Sequence, residues 1–151
     1  MIMGIDPGKS GAVAVIADEV HYYAFSKYTE HDLCDIMRDW NAKGISMCYL
    51  EKVHSMPAFV GGKKRQGIAS TFTFGQNFGW YIGVLDALKI PYSFVTPQKW
   101  QAFMQCRSGG DKNVTKRRAQ QLYPSLKITH AIADALLIAT YGFHQHNPFL
   151  T

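Results

Sequence analysis

The sequence is short of acid, of cysteine and of long apolar runs, and each shortage excludes something. Asp plus Glu number 11 in 151 residues against 16 Lys plus Arg, so the formal charge is +5 and the sequence pI is near 9.1. Charged residues are 18% of the chain and hydrophobic ones 47%, which argues against a disordered or coiled-coil chain and supports a core without disulfides. Cys34, Cys48 and Cys106 are odd in number and widely spaced, and no CxxC pair offers a zinc site. They are expected to be free thiols in a reducing compartment. The longest apolar run, 131–143, carries Asp134 and is too short to span a bilayer. No basic segment followed by an apolar stretch opens the chain, and no repeat or low-complexity tract is present. The expectation is one soluble, cytoplasmic domain over 1–151, with no membrane partner. Its basic balance suits a polyanion such as nucleic acid, and equally suits ordinary solvated surface.

Apolar residues 1–5 and 12–16 flank the turn Asp6-Pro7-Gly8-Lys9-Ser10-Gly11, which predicts a β-hairpin, with a third strand at 20–25. Leu33, Ile36, Met37 and Trp40 stand at helical spacing after Thr29-Glu30, and Gly44 ends that helix. Residues 45–50 read as a strand buried on both faces, stopping at Glu51. The polar, basic stretch 55–67 predicts a loop, and 68–88 an aromatic-rich helix. A strand is expected at 91–95, a short helix opening at Thr96-Pro97, a Gly-Gly loop at 107–112 and a basic helix at 115–122. The last apolar helix runs over 130–143 behind Thr129, which leaves His144 and His146 as tail. This order predicts an α/β chain with a mixed sheet flanked by helices.

Because acids are scarce, their positions are informative. Most sit in turns or on a helix face beside cations. Asp6 instead follows an apolar strand, Glu51 ends the most apolar strand, and Asp134 lies within an apolar helix. Singly, each has an ordinary role: a cap, a strand-end surface residue, a hydrogen-bonded buried acid. Together they would repel one another and be costly to desolvate, a cost that a divalent cation removes. Hard oxygen ligands suit magnesium or manganese. His130 lies four residues before Asp134, on the same helix face, as a fourth ligand, a general base or a solvent-facing helix start. Lys112, Lys116, Arg117 and Arg118 crowd a helix start, where they oppose the macrodipole unless phosphate binds there; a solvated basic face is the alternative.

The run Met3-Gly4-Ile5-Asp6-Pro7-Gly8-Lys9-Ser10-Gly11 resembles the first strand of RuvC-type Holliday junction resolvases. Leu50-Glu51-Lys52-Val53 resembles their second acidic motif, and Phe74-Gly75-Gln76-Asn77-Phe78-Gly79 their glycine-glutamine helix. Thr96-Pro97-Gln98-Lys99-Trp100 and Thr115-Lys116-Arg117-Arg118-Ala119, with Leu122-Tyr123-Pro124, resemble the compact phage-encoded branch, and 130–139 the closing acidic helix. The resemblance spans nearly the whole chain. It implies a ribonuclease H-like fold with a mixed five-stranded sheet, a homodimer, and two Mg2+ ions per site, Mn2+ being possible. It carries metal binding onto Asp6, Glu51, His130 and Asp134, with Lys116 as a catalytic cation. It carries phosphate or junction contacts onto Lys112, Lys116 and Gln76, while Lys9, Lys63, Lys64, Arg65 and Arg117 are candidate DNA contacts by their charge. Most members have a carboxylate where this chain has His130, and imidazole favours manganese more than a carboxylate does.

The activity implied is resolution of four-way DNA junctions by paired symmetric nicks, in the cytoplasm of a bacterial cell or a virus-infected host. The helix 72–88 would form the dimer interface, and His54, Met56 or Phe59 would stack on an unpaired base. A broader flap or branched-DNA nuclease and a catalytically silent junction-binding module are the alternatives. An ATPase of the actin and sugar-kinase group needs two duplicated domains, which 151 residues do not supply.

Overall fold

Two apolar runs split by a Pro-Gly turn bury best by pairing, and β1 (Ile2–Asp6) and β2 (Ala12–Ile16) pair antiparallel, Asp6 opposite Ala12. The computed structural model describes residues 1–52, 59–60, 63–64 and 68–147. The hairpin turn closes through the Gly11 N–H, which donates to the Gly8 carbonyl at 2.9 Å. A side chain on Gly11 would collide with the Asp6 carbonyl, so only glycine fits. β3 (Val20–Ala24) pairs antiparallel with β2, and a 3-10 turn (Phe25–Lys27) leads to α1 (Glu30–Ala42). α1 starts at a capping box between Thr29 and Asp32. β4 (Met47–Glu51) pairs parallel with β1, and β7 (Tyr92–Val95) parallel with β4. The mixed five-stranded sheet has the order β3-β2-β1-β4-β7. β5 (Phe59–Val60) and β6 (Lys63–Lys64) form a separate two-stranded ladder. The remaining helices are α2 (Ile68–Ala87), α3 (Pro97–Phe103), α4 (Lys112–Leu122) and α5 (His130–His146).

The two-residue alternation of the strands divides the core into two layers. Met3, Ile5, Val13, Val15, Cys48 and Leu50 pack with Met37 and Trp40 of α1 and with Tyr81 and Leu85 of α2. Ala12, Ala14 and Val95 pack on the other face with α5 and with Trp100 of α3. Gly4 lies on that second face, where a Cβ would stand 2.7 Å from the Ala135 carbonyl oxygen, so the α5 backbone rests directly on β1. Among the described residues no helix is long and apolar enough to cross a membrane. All three cysteines are free, Cys48 and Cys106 being buried.

Four local expectations change. β4 is half-covered on one face: Cys48 and Leu50 are buried, while Met47, Tyr49 and Glu51 are partly open, and Glu51 lines a cleft. Within 55–67, residues 59–60 and 63–64 pair as strands rather than loop. α4 begins at Lys112, earlier than expected, because Asp111 caps it by accepting the Asn113 N–H at 2.9 Å. α5 extends to His146, so His144 and His146 occupy its last turn rather than a tail.

Candidate functional site

Parallel pairing of β1 with β4 sets Ile5 beside Leu50, which brings Asp6 and Glu51 to the carboxyl ends of adjacent strands, about 4.8 Å apart in the sheet. Ile5 and Leu50 face α1 and α2, so Asp6 and Glu51, one residue on, face α5. α5 runs back along β1: a Cβ on Gly142 would meet Ile2, and one on Gly4 would meet Ala135 and Ala139. From Gly142 back to Asp134 the helix advances about 12 Å, and from Ile2 to Asp6 the strand advances about 13 Å. The two elements therefore arrive together, with Asp134 next to Asp6.

Asp6, Glu51 and Asp134 line one cleft of about 570 Å³ with Lys9, Ser10 and Lys112. Ala69, Ser70, Thr73 and Phe74, from the first turns of α2, form its opposite wall. Burial pushes the Asp6 carboxyl up to about 6; the Asp134 charge adds to this, while the Gly8 N–H and Lys112 oppose it. Glu51 is pushed up to about 8, by burial first and then by Asp6 and Asp134, against the pull of Trp100 and Lys112. Burial also raises Asp134, opposed by Thr115, Lys112 and His130. Two of the acids keep a protein donor: the Gly8 N–H reaches Asp6 Oδ1 at 3.0 Å, and the Trp100 indole N–H reaches Glu51 Oε1 at 2.8 Å. The Thr115 hydroxyl, which donates to the Lys112 carbonyl at 3.3 Å, also lowers the Asp134 value, yet Asp134 Oδ1 is sealed from solvent with no hydrogen-bond partner.

That orphaned oxygen and the crowding of three desolvated carboxylates are what a hard divalent cation relieves. Among the described residues no three Asp, Glu, His or Cys side chains already stand close enough to enclose one ion. This is compatible with magnesium, which usually keeps several waters and takes only one or two carboxylates. As hard oxygen donors, Asp6, Glu51 and Asp134 fit Mg2+ or Mn2+ by their chemistry.

Other expected residues lie around the cleft. His130 is exposed, and its Nε2 is 3.0 Å from Asn113 Oδ1. With that oxygen as acceptor, Nε2 carries the proton and Nδ1 is left to accept or ligate. Lys9 and Lys112 are in the cleft wall, whereas His130, Lys116, Arg117 and Gln76 are not. Lys116 is half-buried on α4, and Arg117 and Gln76 are exposed. Arg65, His54 and Met56, and the side chains of Phe59, Lys63 and Lys64, lie outside the described residues.

Sequence reasoning missed Trp100, Asn113 and Thr115 as partners of the acids and of His130. For Trp100 a signal existed: a buried indole N–H needs an acceptor, and the only acids in apolar context were the three already singled out.

No protein-family model and no curated protein matches the chain. Among solved structures it is similar to the RuvC of T. thermophilus in complex with a Holliday junction substrate. The two are 12% identical with a TM-score of 0.59, over 97% of this chain and 94% of that one. A second Thermus thermophilus RuvC structure is 13% identical with a TM-score of 0.55, over 97% and 96% of the two chains. The fold is thus RuvC-like, of the ribonuclease H-like class.

Proposed function

We propose that this chain is a metal-dependent, structure-selective DNA endonuclease that resolves four-way junctions by paired symmetric nicks. The observation that carries the reading is the meeting of Asp6, Glu51 and Asp134, from three separate elements, in one cleft with Lys9 and Lys112. The RuvC-like fold supports it, since one neighbour is a resolvase with its junction substrate.

Asp6, Glu51 and Asp134, with His130 near Asp134, are the residues that would hold two Mg2+ or Mn2+ ions. Bound there, divalent ions make a water more acidic and offset charge at the scissile phosphate. Lys112 and Lys9 draw the phosphodiester into the cleft, and the glycine turn 8–11 lets backbone approach it closely. Apolar packing beneath the acids excludes water and strengthens every charge interaction within the cleft. His130 would complete one ion's ligands or orient the attacking water, with the Asn113 side chain holding its ring. Lys116 and Arg117 on α4, Gln76 on α2 and the basic residues 63–65 contact DNA flanking the cut.

A two-fold homodimer places two such clefts on a junction that has matching symmetry. α2 is the proposed interface: Phe72 is 67% exposed, and beside Gly75, Gly79 and Gly83 the surface is open. Whether the chain derives from the phage-encoded branch bears only on its host.

The test is cleavage of a synthetic four-way junction in Mg2+ or Mn2+, with products mapped on all four strands. Paired nicks at symmetric positions support the reading. Faster cutting of flaps or Y-forks would replace it with the broader nuclease, and tight binding with no cutting in either metal with the silent module.

A further inference from the structure

Trp100 is the largest fully buried side chain among the described residues, and it is packed with Val95, Met104, Cys106 and α5. An indole has one polar atom, which only donates. In a core that N–H must find an acceptor, and here it finds the Glu51 carboxylate, with Oε1 at 2.8 Å.

The placement follows from the backbone. Glu51 pairs with Val95 in the parallel register of β4 and β7, and the Lys52 N–H ties the two strand ends at the Val95 carbonyl, 2.7 Å away. The next residue, Thr96, caps α3 by accepting the Lys99 N–H, and Pro97 presets the first turn. One turn into α3, Trp100 is thereby directed back at the end of β4. The donor is fixed in a packed core, whereas a glutamate at a strand end has three side-chain torsions to settle.

We propose that Trp100 is a positioning residue, whose indole N–H holds the Glu51 carboxylate in one orientation toward the cleft, ready for a divalent cation. The bond uses one of about four lone-pair sites on the carboxylate and leaves the rest for a ligand. Asp6 is held in the same manner by the Gly8 N–H, so two neighbouring acids each have one fixed donor on the protein side. The inference rests on the reading of Glu51 as a metal ligand.

The experiment measures Mn2+ binding to the full chain from the free-ion paramagnetic resonance signal, for the parent, Trp100→Phe, Glu51→Gln and the double variant. Trp100→Phe keeps an aromatic ring and removes the donor. Its affinity is expected to fall by about 10–100-fold, the usual effect of losing such an outer partner, with little further fall when added to Glu51→Gln. Affinity within about twofold of the parent, or an equal fall in both backgrounds, overturns the positioning role while Glu51 remains a ligand. A parent that binds no Mn2+ overturns the ligand reading itself, and the positioning role with it. A second measurement does not depend on Trp100→Phe folding. The Trp100 indole proton–nitrogen signal of the parent, assigned by eliminating those of Trp40→Phe and Trp80→Phe, is expected to move on Mg2+ addition and in Glu51→Gln. A signal unmoved by both overturns the proposal.

Discussion

Asp6 and Glu51 carry raised pKa values in a cleft that offers few compensating donors, so in the metal-free protein their charge opposes folding. Between about pH 4 and pH 8 the native state holds protons that the unfolded chain has released, so stability falls as pH rises through this window. Urea unfolding in EDTA is expected to show a loss of several kcal/mol from pH 5 to pH 8.5, much reduced in Glu51→Gln. Added Mg2+ should restore stability at pH 8.5 and do little at pH 5, where protons compete for the same oxygens. Under the proposed function, Asp6→Asn loses at least about 10³-fold in junction cleavage while remaining folded. Cleavage as fast as the parent's would remove Asp6 from the chemistry. The imidazole at His130 has a separate signature. His130→Asp replaces a nitrogen ligand with an oxygen, so the ratio of Mg2+-supported to Mn2+-supported rates should rise severalfold.

At the scale of elements, the site depends on how closely α5 lies on β1. Gly4 makes that approach possible, and a methyl group there would meet backbone atoms of Ala135 and Ala139. Gly4→Ala is expected to destabilise the chain by about 1–3 kcal/mol in urea unfolding, and to lower Mn2+ affinity because Asp134 is displaced from Asp6. Most elements were legible in the sequence. The hairpin showed in two apolar runs around a Pro-Gly turn, and α1 in its Thr29 start and its Leu33, Met37 and Trp40 stripe. Asp6, Glu51 and Asp134 stood out because an acid in an apolar setting is rare. What was not legible depended on three-dimensional neighbours. The start of α4 was hidden because Asp111 reads equally as loop or cap. The partners Trp100–Glu51 and Asn113–His130 join residues far apart in the chain, 49 and 17 positions respectively, so no local pattern announces them. The half-open face of β4 was hidden for a related reason: six nearly apolar residues do not reveal how completely a neighbouring helix covers them.

At the scale of the molecule, the excess of cations is unevenly used. Lys112 lies in the cleft, and Lys116 and Arg117 continue along α4. Under the proposed function, junction affinity should fall steeply with salt, and Lys112→Ala should lower the slope of log affinity against log salt by about one. The open side of α2 gives a second whole-molecule prediction. Where a Cβ on Gly79 would go there is only open space, so Gly79→Ala should stabilise the isolated chain by about 0.5–1 kcal/mol. If a second copy packs there, the same methyl group pushes it away, and sedimentation at rising concentration should show a weaker dimer. A dimer of unchanged strength would move the interface off this face. The meeting of β1 and α5 also bears on how the protein is made. Asp6 belongs to the first strand and Asp134 to the last helix, so a growing chain on the ribosome holds two of the three acids and lacks the third until α5 emerges. Under the proposed function, nascent chains and fragments cut short of α5 should therefore leave DNA uncut, with cutting possible only once translation has delivered the last helix.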